Sequence, residues 1–255
     1  MVAAELKELV EKLAEGRGIK EIVEEKEPSL LAAVSKLKIR FNDGGVKLLV
    51  YKRYTGLRGL KWIPVEWYIF PAATFNLNPR RLLINEVSFN LKLRSLGFKT
   101  PKIYAVSWRR RSVLMEYVHG KQLPQHLRDG RFKVFYRVGE SLARLHSKGI
   151  CLVDTRPQNM IVDDRGDLVF IDLEQARTRG DRAWDIALHI YYSVKFTLNR
   201  DKARSIVSTF AQGYLEKGDA EDLKRATAAK YLRVFLPLVL PPTLKAVVSE
   251  LKKTS

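Results

Sequence analysis

The stretch from Leu152 to Asp172 constrains the fold of this chain more than any other part of it. It reads L-V-D-T-R-P-Q-N-M-I-V-D-D-R-G-D-L-V-F-I-D, so Asn159 follows Asp154 by five residues and precedes Asp172 by thirteen. The runs M-I-V-D and L-V-F-I-D are rich in β-branched and aromatic residues and flank the turn D-D-R-G-D, which predicts a hairpin. A hairpin of that length would place Asn159 and Asp172 together at its open end, opposite the turn.

Phosphoryl transfer requires oxygen-bearing side chains that lie close together, as Asn159 and Asp172 would in this hairpin. Carboxylate and amide oxygens are hard ligands that suit Mg²⁺, and metal ions neutralise the charge of the transferring phosphoryl group. We therefore predict Asn159 and Asp172 as metal ligands. The separate carboxylate of Asp154 is placed to accept or orient the proton of an attacking hydroxyl. Arg156 is placed to offer a fixed positive charge to the transferring group.

The same segment resembles the catalytic centre of protein kinases. D-T-R-P-Q-N is similar to their D-L-K-P-E-N loop, and I-D-L-E lies where they have D-F-G. The resemblance implies ATP and Mg²⁺ or Mn²⁺ as cofactors, with Asp154 as the catalytic aspartate. It also implies that Arg156 replaces the loop lysine, that Asn159 binds a metal and that Asp172 is the main Mg²⁺ ligand.

Further matches follow in the order expected for that family. V-Y-K resembles V-A-I-K and makes Lys52 the candidate partner of the ATP α- and β-phosphates, with Glu86 as its ion-pair partner. L-M-E-Y-V-H-G resembles a hinge, in which backbone groups of Glu116 and Val118 would bind adenine. D-R-A-W-D-I places Asp185 where the family has the aspartate that braces the catalytic loop.

Patterns along the chain predict an α+β fold with two lobes. Runs typical of strands surround the hairpin turn N-D-G-G, whereas helical patterns dominate after Val118. We expect a bilobal protein-kinase-like fold. Its N-lobe, residues 1–116, would combine an N-terminal helix with a nucleotide-covering antiparallel sheet and one main helix that ends at Gly97. Its helical C-lobe, residues 117–255, would carry the catalytic loop. Thr55 to Pro79 is interpreted as an inserted loop.

The departures from conventional protein kinases favour a compact, atypical member. No glycine-rich loop is visible near Lys26 to Ala33, Leu152 replaces the histidine of H-R-D, and Glu174 replaces the glycine of D-F-G. Only twelve residues separate Asp172 from Asp185, too few for a long activation segment. The chain therefore resembles the RIO kinases, the small kinase of the KEOPS tRNA-modification complex and the lipopolysaccharide Kdo kinases.

A net charge of +18 predicts a polyanionic partner such as nucleotide, RNA or a ribonucleoprotein. Surfaces that bind nucleic acid combine charged and aromatic side chains, as do Arg80, Arg81, Trp62 and Trp67. The arginines of the turn Arg109 to Arg111 could bind phosphates.

Cys151 is the single cysteine, so no internal disulfide can form, and the start of the chain is too polar for a signal peptide. We therefore expect a cytoplasmic protein without a transmembrane segment. Cys151 and His146 are interpreted as packed core residues.

The residues leave three functions open. The first is an atypical serine/threonine protein kinase that transfers phosphate to a hydroxyl-bearing protein, including itself. The second is a nucleotide-binding pseudokinase that docks on RNA or a ribonucleoprotein, which the missing glycines and the basic charge favour. The third is a small-molecule or glycan kinase, which the absence of a peptide-docking segment favours.

Overall fold

The computed structural model describes residues 10, 18–27, 32–55, 72–195, 197 and 199–254. The predicted N-terminal helix, apart from Val10, lies outside the described residues, as do residues 28–31 of the predicted phosphate-covering turn and residues 56–71 of the predicted inserted loop. Val10 is buried in the same apolar cluster as Leu37 and Ile39 of the sheet.

The described N-terminal part is a five-stranded antiparallel sheet with the order β1-β2-β3-β5-β4. The predicted hairpin turn joins β2 to β3, where the Asp43 carboxylate accepts from the Gly45 N–H at 2.9 Å. Gly44 has φ 82°, a left-handed conformation that costs glycine little. The strands are β1 (Ile19–Glu27), β2 (Ala32–Phe41), β3 (Val46–Tyr54), β4 (Ile103–Ser107) and β5 (Ser112–Glu116).

One long helix, α1 (Pro79–Ser95), packs against this sheet. It begins where the Asn78 side chain accepts from the N–H groups of Arg80 and Arg81, a cap that satisfies donors of the first turn. It ends before Gly97, whose φ of 82° fits the predicted glycine at the C-terminus. Leu82 and Leu83 of α1 share a buried cluster with strand residues Tyr54, Val113 and Met115.

The chain is mainly helical after β5, with two small sheets. Strands β6, β8 and β9 form one sheet, and β7 pairs with β10 in the other. A short 3-10 helix, Pro157–Asn159, precedes β8. The strands are β6 (Gly120–Gln122), β7 (Ile150–Cys151), β8 (Met160–Asp163), β9 (Leu168–Phe170) and β10 (Arg177–Thr178). The helices are α2 (Leu123–Arg128), α3 (Val134–Ser147), α4 (Arg182–Val194), α5 (Arg200–Leu215), α6 (Ala220–Arg225), α7 (Ala229–Phe235) and α8 (Pro241–Thr254).

Close packing of α3 against α5 organises the largest apolar core. A Cβ atom at Gly139 of α3 would lie 2.1 Å from the Phe210 carbonyl oxygen, and one at Gly213 of α5 would lie 1.9 Å from the Tyr136 carbonyl oxygen. The two backbones can therefore approach only because both positions are glycine. Trp184 of α4 is buried in the same core.

These observations confirm the predicted α+β class: an antiparallel sheet with one main helix is followed by a mainly helical part. The core positions predicted for two residues are also confirmed, since Cys151 is 2% exposed and His146 is 1% exposed. Every described helix is too short or too polar to cross a lipid bilayer.

Candidate active site

The β8–β9 hairpin brings Asn159 and Asp172 to the same end of one small sheet. Met160 pairs with Phe170, and beyond this pair the Ile171 N–H donates to the Asn159 carbonyl oxygen at 2.9 Å. Asp172 is the next residue and has φ 60°, a left-handed conformation that is strained for a residue other than glycine. The hairpin therefore brings the backbones of Asn159 and Asp172 to the same end of the sheet.

Asp185 braces the loop that precedes this hairpin, as the sequence predicts. Its two carboxylate oxygens accept from the N–H groups of Leu152 and Val153 at 2.7 and 2.8 Å. Thr155 Oγ1 donates to the Asp185 carbonyl oxygen at 2.6 Å, and His146 Nε2 lies 3.1 Å from Asp185 Oδ2. These contacts are buried, and they hold Val153 at φ 64° immediately before Asp154.

Asp154 is paired with Arg156 through both edges of the guanidinium group. Arg156 Nε donates to Asp154 Oδ1 at 2.6 Å and Nη2 donates to Oδ2 at 2.5 Å, a bidentate geometry that is among the stronger charged contacts. Burial lowers the pKa of Arg156, but the neighbouring carboxylate of Asp154 outweighs it and the net pKa is raised. Asn159 Nδ2 donates to the Asp154 carbonyl oxygen at 3.1 Å, which fixes the amide beside the same loop.

Lys52 of β3 reaches across to the hairpin and meets three carboxylates. Its ammonium group lies 2.5 Å from Asp172 Oδ1, 2.7 Å from Glu174 Oε2 and 3.2 Å from Glu86 Oε2. Burial lowers the pKa of Lys52, but the three carboxylates outweigh it and hold the pKa well above its usual range. Lys52 is therefore positively charged although it is only 6% exposed. The structure thus joins Lys52 to Glu86, the ion-pair partner that the kinase resemblance implies, and also to Asp172, the implied Mg²⁺ ligand.

Glu174 is the residue of this cluster that the sequence alone does not reveal. In the sequence it stands only as a replacement for a backbone glycine, whereas its carboxyl group is buried against Lys52. Burial and the neighbouring Asp172 raise the pKa of Glu174 to about 8. Burial also raises the pKa of Glu86, whereas the Lys52 ammonium outweighs burial and lowers that of Asp172.

The segment after Asp172 is held in place by α1 and by the residues that precede it. The Gln175 amide binds both backbone groups of Asn76, accepting at 2.8 Å and donating at 3.0 Å. Asn85 Nδ2 donates to the Glu174 carbonyl oxygen at 3.0 Å, and Arg177 Nη2 donates to the Thr74 carbonyl oxygen at 2.5 Å. Glu86 and Glu174 therefore keep a fixed relation to each other, because the element that carries one is bonded to the segment that carries the other.

The predicted hinge residues lie at the end of β5 and just beyond it. The Glu116 N–H donates to the Lys102 carbonyl oxygen at 2.8 Å, and the Glu116 carboxylate accepts from the Lys102 N–H at 2.9 Å. Both the N–H and the carboxylate of Glu116 are thus engaged by the backbone of Lys102. Within the described part of the chain, the backbone of Val118 makes no hydrogen bond.

The donor set at this centre suits a hard divalent cation. Glu86, Asp172 and Glu174 each offer a carboxylate oxygen, and these oxygens lie within 4.8 Å of one another. The Asn159 side chain is bonded to the Asp154 carbonyl oxygen through its Nδ2 atom, so its amide oxygen is not used in that contact. Oxygen donors of this kind match the preference of Mg²⁺.

Comparisons with known proteins find relatives for part of the chain, and no model of a protein family matches it. The chain is 29% identical over 109 residues to the KEOPS complex subunit Bud32 of Pyrococcus abyssi, which covers 41% of this chain and 49% of the relative. It is 24% identical over 136 residues to a probable bifunctional tRNA threonylcarbamoyladenosine biosynthesis protein of Methanococcus maripaludis, covering 52% of this chain and 24% of that protein. The protein of the same description from Methanobrevibacter smithii is 33% identical over 85 residues, covering 33% of this chain and 15% of that protein.

Among solved structures, the comparison returns monomeric WbdD with a TM-score of 0.37 and 24% identity, covering 56% of this chain and 33% of that one. The chain therefore spans about half the length of the Pyrococcus relative and about a quarter of the Methanococcus one. These relatives confirm the resemblance to small atypical kinases that the sequence predicts. The chain is related in sequence to the KEOPS complex subunit Bud32 and to proteins of tRNA threonylcarbamoyladenosine biosynthesis.

Proposed function

We propose that this chain is a phosphotransferase that uses ATP and Mg²⁺, and that it acts as an atypical serine/threonine protein kinase. One observation carries the proposal: the buried ammonium group of Lys52 contacts Glu86 and Asp172, while Asn159 lies beside Asp172 at the end of one hairpin. A cation, two oxygen ligands for metal and a supporting carboxylate are the parts that phosphoryl transfer requires.

Each residue has a role in this proposal. Lys52 binds the α- and β-phosphates and is oriented by Glu86, whereas Asp172 and Asn159 hold Mg²⁺, which neutralises charge on the triphosphate. Asp154 orients or deprotonates the acceptor hydroxyl once Arg156 turns toward the transferring group. The carbonyl oxygen of Glu116 and the backbone of Val118 bind adenine.

We infer a protein hydroxyl as the acceptor and a tRNA-modification assembly as the setting. Support for the setting comes from the relatives, whose names refer to the KEOPS complex and to tRNA threonylcarbamoyladenosine biosynthesis. The short connection between Asp172 and Asp185 supports an acceptor presented by a bound partner or by the chain itself, because it leaves no long segment to dock a free peptide. We keep the proposed division into an N-lobe of residues 1–116 and a C-lobe of residues 117–255. In this proposal the acceptor binds where the two lobes meet.

The test is transfer of labelled phosphate from ATP, with Mg²⁺ or Mn²⁺, to the protein itself and to added acceptors. Asp172→Asn should lower the rate at least about a hundredfold, because metal ligation contributes several kcal/mol to the transition state. The matched control is Asp167→Asn in the hairpin turn, which is partly exposed and removes the same charge. Equal rates in the wild type and Asp172→Asn would refute catalysis at this centre.

A second candidate, a nucleotide-binding pseudokinase, is favoured by the bidentate contact between Asp154 and Arg156. That contact engages both oxygens of the proposed base. The two functions separate in one experiment, in which thermal stabilisation by a non-hydrolysable ATP analogue is measured beside transfer. Stabilisation that Lys52→Met abolishes, with no transfer by the wild type to any protein, small molecule or glycan, would favour the pseudokinase.

A further inference from the structure

A groove between α1 and the β4–β5 turn is lined by residues that the proposed phosphotransfer does not use. Its volume is about 650 Å³, and the described residues that line it are Arg80, Ile84, Trp108, Arg109 and Arg111. Three of these five side chains are cationic and none is acidic. Trp108, Arg109 and Arg111 belong to the turn between β4 and β5, whereas the other two come from α1.

The groove is presented to solvent rather than packed. Trp108 is 56% exposed and Ile84 is 41% exposed, although indole and butyl groups of this size usually find a place in the core. Arg80 and Ile84 are four residues apart and share one face of α1. The buried residues Leu83 and Glu86 of the same helix face the sheet and Lys52.

The arginines of the groove lack carboxylate partners, whereas some exposed arginines elsewhere in the described residues have one. Arg40 pairs with Glu21 at 2.9 Å, and Arg204 pairs with Asp201 at 3.3 Å. Within the described residues, by contrast, no side-chain hydrogen bond or ion pair engages the guanidinium groups of the groove. Three exposed cations side by side repel one another unless an anion lies between them, so the groove is complementary to a polyanion.

One residue of the β4–β5 turn, Arg111, is fixed in a backbone conformation that most side chains disfavour. Arg111 has φ 54°, in the left-handed region where glycine or asparagine is favoured and other residues are strained. Its carbonyl oxygen accepts from the Tyr54 N–H at 2.8 Å, which fixes this conformation against β3. A glycine would adopt the same turn without strain.

We propose that this groove binds single-stranded nucleic acid, with a base stacked on the Trp108 indole and phosphates held by Arg80, Arg109 and Arg111. Guanidinium groups bind phosphate oxygens through two parallel hydrogen bonds, and an exposed indole stacks on any base. A duplex is excluded as the preferred ligand because its bases are stacked on one another. The net charge of +18 raises the local concentration of such a strand. This proposal does not depend on the proposed phosphotransfer.

The test uses the full chain and a fluorescently labelled single-stranded RNA, with DNA of the same sequence as the second arm and anisotropy measured over a range of salt. Trp108→Ala should weaken binding at least about fivefold at every salt concentration, whereas Trp108→Phe should retain most of the affinity. Arg109→Ala combined with Arg111→Ala should flatten the log–log salt dependence by about 0.7 for each phosphate that is no longer neutralised.

Two further variants separate local binding from diffuse attraction and from misfolding. Arg128→Ala combined with Arg200→Ala removes the same charge from exposed positions of α2 and α5 and should leave the salt dependence unchanged. Arg111→Gly should weaken binding while the thermal midpoint stays at or above that of the wild type, because it relieves the left-handed strain.

Three outcomes would overturn the proposal. One is an equal loss of RNA affinity in the control double variant at Arg128 and Arg200 and in the groove double variant at Arg109 and Arg111. That result would mean that the net charge of the chain, and not the groove, attracts the RNA. Another is tighter binding of a duplex than of a single strand. The third is displacement of the RNA by polyglutamate together with indifference to Trp108→Ala, which would make the partner an acidic protein. Equal affinity for RNA and DNA would show that the groove does not sense the 2′-hydroxyl, and either source supports the inference.

Discussion

Lys52 carries one positive charge, and three carboxyl groups surround it. The ammonium group donates hydrogen bonds to Glu86 and Asp172, and Glu174 Oε2 lies 2.7 Å from it as an ion pair without a hydrogen bond. Three ionised carboxylates around a single cation would leave excess negative charge in a buried site, which is costly. The raised pKa values of Glu86 and Glu174 are the physical response, because holding a proton removes part of that charge.

Glu174→Gln should change how stability depends on pH. The carboxyl of Glu174 has a pKa of about 8 in the folded chain and an ordinary value of 4.5 when unfolded. Between these values the folded chain keeps a proton that the unfolded chain has released, so raising the pH favours unfolding. Relative to the variant, the wild type should lose up to about 1.4 kcal/mol per pH unit across this window.

The measurement for Glu174 is denaturant unfolding at several pH values, with Glu25→Gln on the exposed face of β1 as the matched control. The control should parallel the wild type. A stability difference between the wild type and Glu174→Gln that stays constant from pH about 5 to about 8 would show that the carboxyl of Glu174 is ionised throughout.

At the scale of single residues, the sequence could predict positions whose chemistry follows from spacing. Asn159 and Asp172 meet because a hairpin returns on itself, and Asp185 braces the loop because its carboxylate replaces missing backbone partners. The buried position of Glu174 could not be predicted from sequence spacing. Its contact with Lys52 joins residues 122 positions apart, and no local pattern distinguishes a buried glutamate from an exposed one.

At the scale of elements, the α3–α5 contact depends on two glycines. Replacing a helical glycine by alanine normally stabilises a helix by about 0.5–1 kcal/mol, because glycine loses more backbone entropy on folding. At Gly139 the added Cβ would meet the Phe210 carbonyl oxygen and the Tyr214 N atom at 2.1 and 2.8 Å. Both are backbone atoms, so the helices would have to move apart.

Gly139→Ala should therefore destabilise the chain by about 1–3 kcal/mol, the usual range for overpacking a core. The variant should be compared by denaturant unfolding with Ser141→Ala, which lies on the same helix in a half-buried position. The control should stay within about 0.5 kcal/mol of the wild type. An increase in stability for Gly139→Ala would mean that the backbones of α3 and α5 lie far enough apart to accommodate a methyl group.

The elements with local signals were the ones that the sequence could predict. The N-D-G-G hairpin, the glycine that ends α1 and the β8–β9 hairpin all follow from a few adjacent residues. The geometry of the segment from Leu173 to Arg177 does not, because Gln175 is fixed by the backbone of Asn76, 99 positions away. Its shape depends on a tertiary contact that has no counterpart in the local sequence.

At the scale of the whole molecule, apolar burial is divided unequally. One large cluster runs through α3, α4, α5 and α8, whereas the five-stranded sheet has two small clusters, one on each side. Regions with little buried apolar surface open at lower free energy than the global unfolding. The sheet should therefore be the less stable part of the chain.

Native-state hydrogen exchange should show this difference directly. Amides of β2 and β3 should exchange through an opening of lower free energy than amides of α4 and α5. If the proposed site binds ATP and Mg²⁺, adding both should slow exchange in the strands more than in the helices. Helices that exchange as fast as the strands under the same conditions would contradict the unequal division of stability.

The contact between Asp154 and Arg156 also has a consequence for idle turnover. A water molecule carries no negative charge with which to draw the guanidinium group away from the carboxylate, so it meets a base that is already occupied. Under the proposed role of Asp154, wasteful hydrolysis of ATP is therefore slow. The chain would conserve its nucleotide for as long as Arg156 stays on Asp154, and would use it only when the guanidinium group turns toward the transferring group.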